Sequence, residues 1–204
     1  MNRKIAPFID IVRLEDKEAK LKSFVRSVVE QSQLRCETDE AANTVLLIAR
    51  SIDSPVAKAV ASLVREGAIT IPVKLILALP PRQEVEGDNS HDTFTALAGS
   101  NGGRIIRDVR LFDAHEQLVL GPSASWVGDC MRRDPMKRDA FECYASDCNK
   151  TAGWAKTSFN RLWDSVEPMP DDLFQHAKPA EPEVCLPAVA AEEAASDPLT
   201  PSSN

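Results

Sequence analysis

Two groups of residues in this chain have the types and spacing to do chemistry. One is an arc of small and acidic groups, Gly121-Pro122-Ser123-Ala124-Ser125-Trp126, followed by Ala140-Phe141-Glu142. A glycine-led serine step is the beginning of a nucleophile elbow, but the closing glycine is missing and no capped helix follows directly. Serine hydrolase chemistry is therefore not the reading. The other group is cationic: Arg104, Arg107 and Arg110, then Arg132, Arg133, Lys137 and Arg138. Arginine forks suit phosphate oxygens, which makes Arg132, Arg133, Lys137 and Arg138 the anion-binding candidates. Asp129, Asp134 and Asp139 interleave with them, and on a solvated surface such partners neutralise one another for little energy.

Histidine and cysteine chemistry has little to work with. His115 falls in a predicted hairpin turn, His91 in a polar loop and His176 in the C-terminal segment. Polar turn residues are ordinarily solvated. Cys143 and Cys148, with Cys130 nearby, lack the tight Cys-x2-Cys spacing of a zinc knuckle and have no histidine close in sequence. No metal and no cofactor is expected. Together with Cys36 and Cys185 the cysteines are irregularly spaced, as small buried hydrophobes in a reducing cytosol would be.

The elements that must position these groups alternate helix and strand. Leu14 to Leu34 reads as an amphipathic helix on the domain edge, with Leu21, Phe24, Val25, Val28 and Val29 on one face and Lys17, Lys20, Lys22 and Arg26 elsewhere. Thr44 to Arg50 reads as a strand buried on both sides. Ser54-Pro55 supplies an N-cap and first-turn proline, Val56, Ala59, Val60, Leu63 and Val64 follow at helical spacing, and Gly67 stands past the end. A strand at Pro72 to Leu79 and a short helix at Thr93 to Ala98 come next. Ile105 to Leu120 reads as a hairpin turning at Asp113-Ala114-His115-Glu116, because Val109 and Leu111 alternate before the turn and Leu118 and Leu120 after it. A loop from Gly128 to Arg138 leads to a strand at Asp139 to Ala145. The last helix, Thr151 to Val166, aligns Ala155, Phe159, Leu162, Trp163 and Val166. This order predicts an α/β fold, a mixed sheet flanked by helices.

Across roughly residues 44 to 169 the chain resembles one half of a phospholipase D fold. The resemblance rests on Gly121 to Trp126, the Ala140-Phe141-Glu142 step, and Phe159-Asn160-Arg161-Leu162-Trp163 running to Glu167-Pro168, which looks like the closing helix of many bacterial members. That superfamily carries His-x-Lys-x4-Asp, then Gly-Ser-x-Asn, then Asn-x-Glu, with the histidine as nucleophile. Counted back from Gly121, the histidine position falls near Arg107, the lysine near Val109 and the aspartate near Asp113 or Ala114. Gly121, Ser123 and Ser125 keep part of the second step, with Pro122 inserted and serine in place of asparagine. Ala140 replaces the later asparagine and Glu142 remains. Covalent phosphoryl transfer needs an attacking imidazole, a second one to protonate the leaving oxygen, and cations on the phosphate. The resemblance thus implies a catalytically inactive domain acting as an interaction or regulatory protein. The alternative is a phosphodiester-processing or nucleic-acid-binding protein that uses the arginine-rich rim. Single-copy members commonly pair across a two-fold axis, which implies a homodimer joined near Gly121 to Trp126.

Charge and composition bound the partners. Of the net charge of -7, the segment after residue 169 carries about -6, from seven acids against Lys178, which leaves the body nearly neutral. That segment also holds Pro179, Pro182, Pro187, Pro198 and Pro201, and reads as a disordered acidic tail. A near-neutral body with 5% aromatics gives nucleic acid little to stack on, so a protein partner is the expectation. The longest apolar runs are far too short to span a membrane. No apolar stretch follows the basic start at Arg3-Lys4, and a cytoplasmic location is expected. The organisation read from sequence is an N-terminal helical segment over 1–40, the α/β domain over 41–169 and the tail over 170–204.

Overall fold

The computed structural model of the chain describes residues 7–33, 44–78, 88–98, 103–132 and 139–169. In chain order its elements are β1 (Phe8–Arg13), α1 (Leu14–Gln33), β2 (Val45–Ala49), α2 (Pro55–Arg65), β3 (Val73–Ala78), α3 (Asp88–Ala98) and β4 (Gly103–Ile106). A 3-10 turn at Val109–Asp113 follows, then β5 (His115–Leu120), β6 (Ala124–Cys130), β7 (Asp139–Ala145), α4 (Asn149–Ser165) and β8 (Glu167–Pro168). The strands form one mixed sheet in the order β1-β7-β6-β5-β2-β3-β4-β8. β2, β3 and β4 run parallel; the other neighbours are antiparallel.

Helices cover both faces, which is why the central strand β2 is apolar without alternation and buried at every position. On one face α1, α2 and α3 send Leu21, Val25, Val56, Val60, Leu63 and Leu97 against alternate residues of the sheet. On the other, α4 packs Ala155, Phe159, Leu162 and Val166 onto Ile48, Ile76, Ile106 and Val119. Burying a side chain of this size contributes about 1.5–3 kcal/mol. α2 shows how local signals set an element. The Ser54 hydroxyl accepts from the Ala57 N–H at 3.4 Å, Pro55 occupies the first turn, and Gly67 takes a positive φ of 71° just past the end, where a side chain would be strained.

Several expectations are corrected. Residues 105–120 are not a hairpin: β4 pairs in parallel with β3, while β5 pairs with β2 and β6, so β2 and β3 separate the two segments. Val109 and Leu111 belong to the 3-10 turn, begun by the Asp108 carboxylate accepting from the Arg110 N–H at 2.9 Å. The hairpin is β5–β6 instead, turning through Gly121 at φ 64°. Gly128–Cys130, expected as loop, extend β6, and His91 lies within α3. Phe159 is fully buried as expected, yet Trp163 is only half-buried, stacked on Phe159 at 5.5 Å between centroids. The face that Leu118 and Leu120 present is the one away from α4; Val119 meets the helix. β1 has no counterpart in the sequence reading, and it pairs with β7 along its whole length. Residues 1–6, 34–43 and the segment after 169 lie outside the described residues, among them Cys36, His176 and Cys185. No helix among the described residues is long and apolar enough to cross a membrane.

Candidate functional site

Glu142, the carboxylate of the Ala140-Phe141-Glu142 step, lies on β7 with no solvent exposure. Strand alternation puts Tyr144 on the same face, and the pairing of Trp126 with Tyr144 across β6–β7 brings the indole alongside. Trp126 donates its indole N–H to Glu142 Oε2 at 3.0 Å, and the Tyr144 hydroxyl donates to the same oxygen at 2.6 Å. The Lys17 ammonium, from the first turns of α1, stands 3.0 Å from Glu142 Oε1 without hydrogen-bond alignment, so this contact is coulombic. It also lies 3.7 Å from Glu116 Oε2 on β5 and 5.1 Å from the centre of the Trp126 ring. Glu116 Oε1 accepts the Arg50 N–H at 3.1 Å, and the Arg50 side chain donates to the Cys130 carbonyl at 2.9 Å. Lys17 is 4% exposed and Glu116 3%. One ammonium therefore sits between two carboxylates inside the core, an arrangement that costs desolvation and persists only when every partner stays in place. Burial, and then the hydrogen bond to Glu142, push the Tyr144 phenol far above its ordinary pKa, which keeps it a donor.

Sequence reasoning missed Lys17, Glu116, Tyr144 and Arg50. Two signals were available. Lys17 precedes Leu21, Val25 and Val28 on one helical stripe, so it belongs to the buried face of α1 and not to the solvated one. Glu116 likewise begins the alternation that Leu118 and Leu120 continue. The close approach of Trp126 is visible in Gly128: a Cβ there would stand 2.5 Å from the indole ring, so only glycine admits it.

The other candidates are dispersed. Gly121 forms the β5–β6 turn, and the Ser123 carbonyl accepts the Cys148 N–H at 2.7 Å. Ser125 is fully buried, with no hydrogen-bond partner for its hydroxyl among the described residues. Arg107 is exposed beyond β4, separated from β5 by two strands. Asp113 is exposed and pairs with Arg132 at 3.0 Å; Arg132 also donates to the Val109 carbonyl at 3.2 Å. Asp113 thus serves as a carboxylate partner of Arg132. Arg110 grips Asp108 through Nε at 3.0 Å and a terminal nitrogen at 2.6 Å, and holds that carboxyl below its usual range. Arg104 donates to the Val166 carbonyl at 2.9 Å and lies 5.0 Å from the Trp163 ring. Arg133, Lys137 and Arg138 lie outside the described residues.

β5 is the strand that runs into Gly121. His115 heads the strand, exposed rather than in a turn, with Nδ1 2.8 Å from the Gly128 carbonyl. Gln117 is buried on the opposite face from Glu116 and donates to the Ala155 carbonyl of α4 at 2.9 Å.

No protein-family model matches the chain, and no curated protein matches it in sequence. Solved structures do. The phospholipase D family member Nuc from Salmonella typhimurium is similar at 14% identity and TM-score 0.51, over 80% of this chain and 99% of that one. TrmBL2, an archaeal chromatin protein, is similar at 16% identity and TM-score 0.46, over 79% of this chain and 54% of that one. NucT from Helicobacter pylori is similar at 10% identity and TM-score 0.47, over 80% of this chain and 100% of that one. The chain has a phospholipase D-like α/β fold.

Proposed function

We propose that this chain is a catalytically inactive phospholipase D-like domain that works as an interaction or regulatory protein. The observation that carries the reading is the state of Glu142. Its carboxylate has no exposure and is engaged by Trp126, Tyr144 and Lys17, so it stabilises the core and reaches no substrate. The strand leading into Gly121 adds support. It holds no lysine, and Gln117, two positions after its histidine, is turned into the core. An imidazole at His115 without a neighbouring lysine has nothing to offset the charge of a phosphorane.

The test is hydrolysis of bis(p-nitrophenyl) phosphate and of single-stranded DNA by the purified full chain, alongside the exposed-site variant His115→Ala. The expected rate equals buffer background for both proteins. Turnover that is lost in His115→Ala would sink the inactive reading and favour a phosphodiester-processing domain. The second reading, nucleic-acid binding at the arginine-rich rim, is favoured by the exposure of Arg107, which makes no ion pair among the described residues. It calls for retention on heparin that falls as salt rises.

A further inference from the structure

Large apolar side chains left in solvent gather at one end of the sheet. Ile9 is 74% exposed, Phe141 64%, Ile11 61%, Phe8 49% and Leu14 43%. Ile11 stands opposite Phe141 and Ile9 opposite Cys143 across β1–β7. Ile9, Ile11 and Phe141 therefore share a sheet face, the one turned away from Glu142, Tyr144 and α1. α4 lies over β6, β5 and β2 on that face and leaves these three side chains bare. Contiguous exposed apolar surface of this kind marks an interaction site.

The patch adjoins an open edge. β1 ends the strand order, and its outer side has no neighbour among the described residues. Phe8–Arg13 contains no proline and pairs with β7 without a bulge, so two of the devices that blunt an edge strand are missing. The Ile11 N–H points out of the ladder, where the Asp10 carboxylate accepts it at 2.9 Å. Asp10 has a second partner in Lys20, which can hold it when that N–H is taken by another acceptor.

We infer that a second copy of this chain binds here, its β1 antiparallel to the first about a two-fold axis through Ile11, so that the two sheets join edge to edge. The strand is complementary to itself in that register. Ile11 faces the partner's Ile11, with a Phe141 on either side of the pair. Asp10 faces the partner's Val12, and Phe8 lies just past the paired stretch, toward the start of the partner's α1 at Leu14. Ile9 faces the partner's Arg13, whose methylenes can cover it while its guanidinium stays in water. Ile9 and Ile11 gain a cover, and no like charges oppose one another. A shift of the axis to Asp10 would set two aspartates face to face, which cross-strand pairing disfavours. This complementarity lies within one strand, which is why the occupant is another copy and not a foreign peptide. The two-fold is also distinct from one built on Gly121 to Trp126, and the inference stands whether or not the domain is catalytic.

The test is sedimentation velocity of the full chain across a concentration series, with Ile11→Pro, Ile11→Lys and, as an exposed apolar control on α4, Trp154→Ala. Proline at 11 removes only the outward N–H and leaves the β1–β7 ladder its donors; lysine places two charges at the axis. Circular dichroism melts establish that each variant is folded. The expected result is a concentration-dependent dimer for the parent chain and for Trp154→Ala, weakened by at least about tenfold in both Ile11 variants. A parent chain that stays monomeric throughout, or a dimer that both folded Ile11 variants leave intact, overturns the inference.

Discussion

Removing the Lys17 ammonium tests whether the buried network holds the domain together. In Lys17→Met the aliphatic stem is kept and the charge is lost, leaving Glu142 and Glu116 buried with no cation between them. Their contacts to Lys17 are 3.0 and 3.7 Å, and all three residues are at most 4% exposed, so water cannot take over the role. Breaking a buried pair from one side costs about 3–5 kcal/mol. In a domain of this size each kcal/mol moves the melting temperature by about 2–4 °C, so the fall should be about 6–20 °C. Glu142→Gln is milder, because its amide oxygen still accepts from Trp126 and Tyr144 while Lys17 keeps Glu116. The double variant Lys17→Met/Glu142→Gln should lose less than the sum of the two single losses, with a coupling of about 1–3 kcal/mol. Thermal and urea melts at neutral pH followed by circular dichroism provide the numbers. A Lys17→Met chain that melts within about 2 °C of the parent, or a cycle that is additive, would refute the reasoning.

Three further outcomes are expected. Phe159→Ala, which empties a fully buried site under α4, should cost about 3–5 kcal/mol, and Trp163→Ala, half-buried, roughly half of that; a urea series giving the reverse order would disprove the placement of the α4 face. Truncation after residue 170 keeps the buried Met169, whose N–H donates to the Gly103 carbonyl, and should leave the melting temperature unchanged. A marked fall would show that the tail contributes to the fold. The Thr151 hydroxyl beside Cys148 lowers its thiol pKa, whereas burial raises that of Cys143. As pH rises the Cys148 thiolate forms first, so iodoacetamide should label Cys148 ahead of Cys143 in a mass-spectrometric time course, and Thr151→Val should shift the Cys148 profile to higher pH. Simultaneous labelling would contradict that environment.

Much of the fold was legible where the signal is local. The Ser54-Pro55 start, the apolar spacing from Val56 to Leu63 and Gly67 together specify α2 within 14 residues, and the structure realises each of them. The unbroken apolar run of β2 likewise implied cover on both faces, and it has that cover. What failed was pairing at a distance. The alternation through 105–120 fits a hairpin as well as it fits two strands that never touch, because period-2 patterning fixes which face a residue takes and not which strand lies beside it. β3, β2 and β6 settle the matter from elsewhere in the chain, β3 by pairing with β4, and β2 and β6 by pairing with β5. β1 was hidden for a different reason. Its Ile9 and Ile11 point to solvent, so its pattern has no polar side to contrast with the buried one.

The candidate site was half legible, and the missing half changes its meaning. Glu142 could be picked out by spacing to Ala140, but spacing treats a carboxylate as a reagent, and only its surroundings decide whether it is one. Those surroundings come from four separate elements: Lys17 from α1, Glu116 from β5, Trp126 from β6 and Tyr144 beside it on β7. A charged group held by partners so far apart in sequence ties the N-terminal helix to the sheet, since releasing α1 would leave Glu142 and Glu116 without their cation. These contacts are enough to give Glu142 a structural role. If Glu142 served a reaction, Glu142→Gln would abolish turnover at little cost in stability; under the proposed reading the same variant loses stability, and neither it nor the parent chain hydrolyses a phosphodiester.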